Sequence, residues 1–383
     1  MIVWTALIVP IIGAFIMLRW FRKYLAWWEV VIPMIACIIF ALIFKFGVEQ
    51  IQITDTEYWS GLVQKAEYYE PYETWVHKTC SRTVKVGETT TTVYYDCSYC
   101  DDYRARYYVT NDIGEQYEIS KTKYEQLMKR WKAKPKFVDL HRNIDYSGLC
   151  GEDGDKYEIY WDKKIATSEQ TVSSHYYENR IQADHTAFDF VDITEEDIKE
   201  YGLYDYPEIS GYSQKALLGA DSVPWLKPRG VKTGNKLIEY VSGYWGPRKH
   251  GKIWILLFVD KPQLAAHLQE SYWEGGNNND LVVCVGLSSK SRDLQWVKPF
   301  SWTPNRTLLV DLREDIMQQG NFSFTGIQGA LEKNMPKYER KDFKEFDYVT
   351  VEPPTWAIIV TFILTIAITF GLCYCAVVNE YTS

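Results

Sequence analysis

The residues of this sequence best suited to chemistry are four possible zinc ligands in its first third. His77 and Cys80 are separated by two residues, and Cys97 and Cys100 repeat that spacing. Two such pairs brought together by a hairpin are typical of a tetrahedral zinc site. One prediction is therefore that His77, Cys80, Cys97 and Cys100 bind a zinc ion.

Disulfides are the alternative for the same cysteines. Residues 74–85 and 92–109 alternate and are rich in Thr, Val and Tyr, with a short turn between them, which predicts a β-hairpin. Folding about that turn places Cys80 opposite Cys97, where side chains of an antiparallel pair have Cβ atoms within ~5.5 Å. Cys100 and Cys150 can form a second bridge. An oxidising compartment favours the disulfides Cys80–Cys97 and Cys100–Cys150, whereas a reducing one favours zinc.

Other groups capable of catalysis do not assemble into a known motif. The histidines His175 and His185 lie near Asp184 and Asp189, but no Ser or Cys stands beside them in a nucleophile-elbow context. The sequence contains no HExxH motif, no P-loop and no dinucleotide fingerprint. We therefore predict no catalytic residues and interpret these histidines as structural.

Three apolar segments determine where the rest of the chain lies relative to a membrane. Ile2–Leu18 and Leu25–Phe46 begin the chain, and Trp356–Val378 ends it. Each reaches the length that a membrane-spanning helix requires, ~17–25 residues. No small-residue cleavage site follows the first segment, so we predict a permanent anchor rather than a signal peptide. The lipid bilayer is therefore an expected partner.

Basic residues predict the orientation of these spans. Arg19, Arg22 and Lys23 lie in the short loop between the first two spans, and such loops are usually cytoplasmic. The N-terminus is then outside, the large central domain is periplasmic or extracellular, and the C-terminus is cytoplasmic.

Composition limits the functions that fit the central domain. The net charge is −8, and the chain has no Lys/Arg tract that would bind nucleic acid. Aromatic residues make up 16% of the chain. That content is common in β-rich folds, and it also fits a surface that binds sugars or a protein partner.

The pattern predicts an α+β membrane protein with two extracytoplasmic lobes. Lys252–Val259, Leu281–Leu287 and Leu294–Ser301 read as strands, the first two buried on both faces, and helical patterns surround them. This order predicts a small three-layer α/β unit. The predicted division is a transmembrane hairpin (1–47), a β-rich lobe with the cysteine hairpin (48–205), a linker (206–234), the α/β lobe (235–353), and a C-terminal transmembrane helix with a short tail (354–383).

The α/β lobe resembles the TPM domain family over residues 235–335. The resemblance rests on that element order and on the segment from Trp273 to Gly286, in which a helix ends in glycines, an Asn/Asp turn follows and a buried strand begins. Family members are membrane-anchored extracytoplasmic domains, some described as phosphatases or metal binders and others as assembly subunits. The resemblance implies a Ca²⁺ or Mg²⁺ site at Asn277, Asn279 and Asp280. The family's glycine-rich stretch after the third strand is replaced here by 299–302. Segments at 95–98 and 175–181 also resemble uncharacterised membrane proteins of large bacteriophages.

The leading functional hypothesis is a non-enzymatic, membrane-anchored extracytoplasmic protein that works by binding or assembly. It predicts a protein partner or a homo-oligomer and no role in nucleic-acid binding. The rival is a TPM-like, cation-dependent hydrolase of phosphate esters. A third hypothesis is an oligomeric channel or transporter subunit, but the spans place no ionisable residue at mid-bilayer to form an ion path.

Overall fold

The chain is an α+β protein with a β-rich body and long apolar helices. A computed structural model describes residues 2–21, 27–86, 89–132, 134–140, 150, 154–161, 170–183, 190–209 and 216–382. Its helices are α1 (Ile2–Trp20), α2 (Trp27–Ile53), α3 (Lys121–Trp131), α4 (Arg180–Ala183), α5 (Glu195–Tyr201), α6 (Pro228–Lys249), α7 (Leu264–Tyr272), α8 (Arg306–Met317), α9 (Phe324–Asn334) and α10 (Thr355–Thr382). Its strands are β1 (Thr54–Tyr69), β2 (Tyr72–Val76), β3 (Thr79–Val86), β4 (Thr89–Asp96), β5 (Tyr99–Tyr103), β6 (Arg106–Asn111), β7 (Gln116–Glu118), β8 (Lys136–Val138), β9 (Lys156–Tyr160), β10 (Gln170–Glu178), β11 (Leu217–Leu218), β12 (Lys252–Val259), β13 (Asp280–Leu287) and β14 (Leu294–Ser301).

Among the described residues, two helices have the length and composition to cross a membrane. They are Val31–Ile53 within α2 and Thr355–Val378 within α10, and only 22% of the most apolar 18 residues of each helix is buried in the protein. The third predicted span is not shown, because the apolar stretch Ile8–Trp20 of α1 is short. Helix α2 also continues past the predicted end at Phe46 and runs directly into β1 at Thr54.

Small and hydroxyl-bearing residues line the contact between α1, α2 and α10. A Cβ atom added to Gly13 would lie 2.9 Å from Thr369 Cγ2, so α1 approaches α10 closely. Thr361, Thr365 and Thr369 are completely buried, and each hydroxyl donates a hydrogen bond to the carbonyl four residues earlier. Close approach over small residues is how helices associate in membranes. Large apolar side chains point outward instead, among them Phe15, Ile43, Phe46 and Ile363.

The β-rich lobe is organised around β1. Residues Thr54–Leu62 pair with β10, residues 63–69 pair with β6 on one side, and residues 65–69 pair with β9 on the other, all antiparallel. The six-stranded sheet is completed by β7 beside β6 and β8 beside β9. Helix α3 covers this sheet, with Leu127 packed against Val63, Val109 and Ile159.

The α/β lobe has the predicted three layers. Strands β11, β12 and β13 are parallel, and β14 is antiparallel to β13. Alternate residues of β12 and β13 face opposite sides, where they join two separate hydrophobic clusters. Helices α6, α8 and α9 contribute to one cluster, and α7 contributes to the other.

The segment predicted as a linker contains structured elements of the α/β lobe. Strand β11 pairs with β12, and α6 begins at Pro228, before the predicted boundary at Asn235. Residues 206–234 are rich in Pro, Gly and Ser, which suggested a linker, yet Pro228 occupies the first turn of α6, where its missing N–H costs no hydrogen bond.

The two lobes contact each other along β1. A Cβ atom at Gly246 of α6 would lie 2.3 Å from the Ser60 carbonyl, so the helix and the strand lie backbone to backbone. Arg340 donates two hydrogen bonds of 2.6 Å to the nearly buried carboxylate of Glu57. Charge-assisted bidentate pairs of this kind fix geometry as well as adding stability. These contacts hold the first half of β1 against the α/β lobe.

Candidate functional site

Two regions carry the residues that the sequence singled out, and the first is the cysteine hairpin. Both predicted disulfides are present: Cys80 bonds Cys97, and Cys100 bonds Cys150, each with Cα atoms 5.8 Å apart. The predicted register is wrong, because Cys80 is directly opposite Tyr95 and its disulfide partner Cys97 follows the last residue of β4. With their sulfur atoms paired, Cys80, Cys97 and Cys100 offer no thiolate to a zinc ion, and His77 is exposed. The structure therefore has the disulfide alternative rather than the zinc set.

The disulfides hold together a projecting structure, residues Tyr72–Tyr103, which we call the arm. Strands β2 and β5 pair at its base, where the rings of Tyr72 and Tyr103 stack with centroids 4.5 Å apart. Strands β3 and β4 continue outward as a separate two-stranded sheet. Within the described residues these two strands pair only with each other, so each keeps an unpaired edge.

The described side chains of the outer arm are exposed or half-buried on both faces. Tyr94 is 72% exposed and lies on the same face as Ser81 and Thr83. Val93 and Tyr95 are also exposed and lie on the opposite face, where the Arg82 guanidinium is 6.0 Å from the Tyr95 ring centre. The arm therefore presents aromatic and hydroxyl groups to its surroundings and packs little against the body.

The second region is a cleft between the lobes. It has a volume of about 1030 Å³ and opens beside the start of β1, two residues after the last residue of α2. We call it the inter-lobe cleft. Its described lining comes from six parts of the chain: Asp55, Thr56 and Tyr58; Asn179, Ile181 and Gln182; Tyr206, Pro207, Glu208 and Ile209; Tyr272, Trp273, Glu274, Gly276 and Asn277; Trp302; and Phe343.

A chain of hydrogen bonds crosses the floor of this cleft. Tyr177 Oη lies 2.8 Å from Asp55 Oδ2, to which it donates, and 3.3 Å from Asn277 Oδ1. Asn277 Nδ2 lies 3.2 Å from Tyr206 Oη, which in turn donates to Asp280 Oδ2 at 3.0 Å. Burial, with the nearby carboxylates, raises the pKa of both tyrosines well above its usual value, so both remain neutral donors.

Asp280 is completely buried, and both oxygen atoms of its carboxylate accept hydrogen bonds from the protein. Trp254 Nε1 donates to Oδ1 at 3.0 Å, while Tyr206 Oη and the Asn277 backbone N–H donate to Oδ2. Burial raises the pKa of Asp280, and these donors and the Lys252 ammonium act in the opposite direction. The carboxylate is thus a structural acceptor that fixes the turn before β13.

Lys252 faces the same buried environment from the neighbouring strand. It is in register with Asp280 on β12 and is only 1% exposed, with Nζ 4.0 Å from the centre of the Trp254 ring. Nζ and both amide atoms of Asn278 have no hydrogen-bond partner among the described residues. Burial lowers the pKa of Lys252, and the charge of Asp280 raises it in part.

The three residues predicted as a cation site diverge. Asn277 Nδ2 donates to the Thr56 carbonyl, and Asn279 Nδ2 donates to the Tyr58 carbonyl, so both amides tie the turn to β1. Asp280 points instead towards Trp254 and Tyr206. A calcium or magnesium site at Asn277, Asn279 and Asp280 stays a prediction. The observed contacts make Asn277 and Asn279 a joint between the lobes.

One cluster of possible metal ligands does occur within the described residues. Glu73, Cys100 and Cys150 have ligand atoms within 4.8 Å of one another, but the two sulfur atoms form a disulfide. In the described part of the inter-lobe cleft, no three Asp, Glu, His or Cys side chains meet this distance.

The sequence did not indicate most of the cleft residues. Asp55 meets Tyr177 and Asn179 because β10 pairs with β1. Tyr206 joins them through Asn277, which bonds both Tyr177 and Tyr206. His175 stacks on Trp59 with ring centres 3.6 Å apart, which fits the structural role predicted for it. Five residues singled out in the sequence lie outside the described residues: Arg22, Lys23, Asp184, His185 and Asp189.

The chain was compared with protein-family models, with curated proteins and with solved structures, and no match was found. The resemblances to TPM domains and to bacteriophage membrane proteins therefore stay predictions.

Proposed function

We propose that this protein is a membrane-anchored extracytoplasmic binding or assembly protein whose arm docks a protein partner. The observation that carries the proposal is the outer arm itself. It is a two-stranded sheet with unpaired edges and exposed aromatic residues, and a disulfide closes its base.

A covalently closed arm is suited to docking. An isolated two-stranded hairpin is only marginally stable in water. The Cys80–Cys97 bond lowers the entropy cost of forming this one, and a preformed binding element loses less entropy when it binds. A partner segment can extend the sheet at an unpaired edge, while Tyr94 and Tyr95 supply aromatic contact area of the kind enriched at interfaces.

The membrane arrangement in this proposal has three spans. Helix α1 packs against α2 and α10, with Met17 near Cys373 and Val377, which supports its membership of a membrane bundle. The disulfides support an oxidising compartment for the body. Arg19 at the end of α1 favours a cytoplasmic loop there. The N-terminus is then outside and the C-terminus cytoplasmic.

Photo-crosslinking tests the docking role. A photoreactive residue replaces Tyr94 in the full-length chain, expressed in membranes of its natural host, and a second version carries it at Tyr348, which is 74% exposed and lies outside the arm. We expect a discrete crosslinked product from position 94 and none of that mass from position 348. No product from position 94, or the same product from both positions, contradicts the proposal.

The hydrolase hypothesis requires the inter-lobe cleft to bind a phosphate ester. A phosphate ester needs positive charge around it, but none of the lining residues that the structure describes is Lys, Arg or His. Turnover of a phosphate ester by the full-length protein with added Mg²⁺ or Ca²⁺, lost in Asp280→Asn but retained in the control Asp260→Asn, would favour that hypothesis over ours. Asp260 is exposed and lies outside the cleft.

A further inference from the structure

We propose that the inter-lobe cleft binds an organic cation, an ammonium group carried by a small amine or by a lipid headgroup. This site is separate from the arm, so it does not depend on the docking proposal. The inference combines the charge of the cleft, its aromatic lining and its position next to α2.

All the charged residues that the structure describes in the lining of the cleft are acidic. Asp55, Glu208 and Glu274 line the cleft, and no described lining residue carries a positive charge. Arg180 is close in sequence, but its guanidinium bonds Glu49 at 3.1 Å and the Val349 carbonyl at 3.3 Å. Clefts lined by one sign of charge concentrate ligands of the opposite sign. The lining therefore attracts cations and repels phosphates.

One of these carboxylates is held rigidly. Asp55 accepts hydrogen bonds from the Thr56 backbone N–H at 2.7 Å, from Tyr177 Oη at 2.8 Å and from Asn179 Nδ2 at 2.9 Å. A carboxylate fixed by three donors loses little freedom when a ligand binds. Asp55 is thus a preorganised negative charge in the lining of the cleft.

Aromatic rings supply the other half of a cation site. Six described lining residues are aromatic, and the negative face of an aromatic ring attracts ammonium groups. Tyr206 and Trp302 are held by edge-on contacts with Trp273 and Phe343, respectively. The six are Tyr58, Tyr206, Tyr272, Trp273, Trp302 and Phe343. Aromatic rings together with carboxylates suit an ammonium group that also carries an apolar body.

The position of the cleft places it near lipid headgroups. Asp55 is two residues beyond Ile53, the last residue of the apolar helix α2. If α2 crosses the bilayer, the cleft opens at the level of the headgroups on that side. Both a dissolved amine and the ammonium of a phospholipid can reach it there. The volume of about 1030 Å³ accommodates either.

Calorimetric titration of the full-length protein in a maltoside detergent tests this site. The probes are choline and spermidine as cations, with inorganic phosphate and glucose as the anionic and neutral controls. We expect the cations to bind, the two controls not to bind, and the affinity to fall with added salt. Glu208→Gln and Glu274→Gln each weaken cation binding by about tenfold, the loss expected for one charge-assisted contact.

The matched control variant is Glu196→Gln, because Glu196 is an exposed acid on α5 outside the cleft. It should leave cation affinity unchanged. Repeating the titration in nanodiscs separates the two sources of the ammonium group, since phosphatidylcholine reduces choline binding only if its headgroup occupies the cleft. Binding of phosphate or glucose without the cations overturns the inference. Unchanged cation affinity in the Glu208→Gln/Glu274→Gln double variant also overturns it.

Discussion

The protein contains two pairs of eight-residue strands that are stabilised in opposite ways. In β12 and β13, every residue except Val259 is buried, and the pair lies between two hydrophobic clusters. In β3 and β4, no described side chain is fully buried, and the Cys80–Cys97 disulfide closes the pair. The first pair depends on the removal of apolar surface from water, and the second depends on a covalent bond.

This difference distinguishes β12 and β13, which form a buried scaffold, from β3 and β4, which expose side chains that a partner can contact. Side chains buried inside the α/β lobe are unavailable to a partner, but they give β1 and the cleft a rigid support. Strands β3 and β4 leave their described side chains exposed or half-buried because a disulfide, rather than packing, maintains their shape. Substitutions in the two strand pairs test that contrast.

A charge placed in each strand pair should have very different consequences. Val283→Asp in β13 puts a carboxylate where the side chain is 0% exposed, and we expect it to destabilise the protein by more than about 4 kcal/mol. Val93→Asp in β4, where the side chain is 42% exposed, should change stability by less than about 0.5 kcal/mol. Denaturant unfolding followed by tryptophan fluorescence measures both. Equal losses of stability in the two variants would show that the two strand pairs are stabilised in the same way.

The buried pair Lys252 and Asp280 gives a second test inside the scaffold. The two groups form no direct salt bridge, but each is buried and the charge of one acts on the pKa of the other, so Lys252→Met or Asp280→Asn alone should destabilise the protein by about 3 kcal/mol. The double variant Lys252→Met/Asp280→Asn should cost clearly less than the sum of the two single losses. A double-mutant cycle from denaturant unfolding checks this. Additive losses would show that the two groups do not interact.

Removing the arm disulfide should act locally. Cys80→Ser/Cys97→Ser removes a bond that closes a loop with a sequence separation of 17, worth about 3 kcal/mol to the arm. We expect rapid amide hydrogen exchange over 79–96 and unchanged protection in β12 and β13. The control is Cys284→Ala, which removes a buried cysteine that is not in a disulfide. Protection lost in both strand pairs would show that the arm and the scaffold unfold together.

A smaller effect concerns Glu67 of β1, which shows a third way of stabilising strands. Burial raises the pKa of Glu67, but hydrogen bonds from Lys65, Lys156 and Gln116 more than reverse this and lower the pKa to about 2. Since this value lies below the usual 4.5, Glu67 stabilises the fold above about pH 4.5 and loses that contribution as the pH falls towards 2.

Glu67→Gln should therefore flatten the acid limb of a plot of stability against pH, with a loss on the order of 1–2 kcal/mol at neutral pH. The control Glu118→Gln, at an exposed position on β7, should leave that limb unchanged. If the stability of Glu67→Gln falls at low pH as steeply as that of the wild type, the role assigned to the ion pairs of Glu67 is contradicted.

The sequence predicted the local features better than the assembly of distant ones. Period-two alternation identified the hairpin that brings Cys80 close to Cys97, although Cys80 is directly opposite Tyr95. Continuous apolar runs identified β12 and β13 as strands buried on both faces. The inter-lobe cleft was not predictable in this way, because Asp55, Asn179 and Tyr206 are brought together by strand pairing and by contacts between lobes. The predicted linker extended too far along the chain, because a Pro-rich composition does not distinguish a loop from a first helical turn such as the one that Pro228 occupies.

The central claim is that the body, with its arm, lies on the oxidising side of a membrane that α2 and α10 cross. Its most direct test is labelling of the full-length protein with a membrane-impermeant maleimide in intact cells, using Thr91→Cys in the arm and Thr382→Cys at the end of α10. We expect the cysteine at position 91 to react in intact cells and the cysteine at position 382 to react only after permeabilisation. The reverse order, or reaction of both before permeabilisation, would contradict the account.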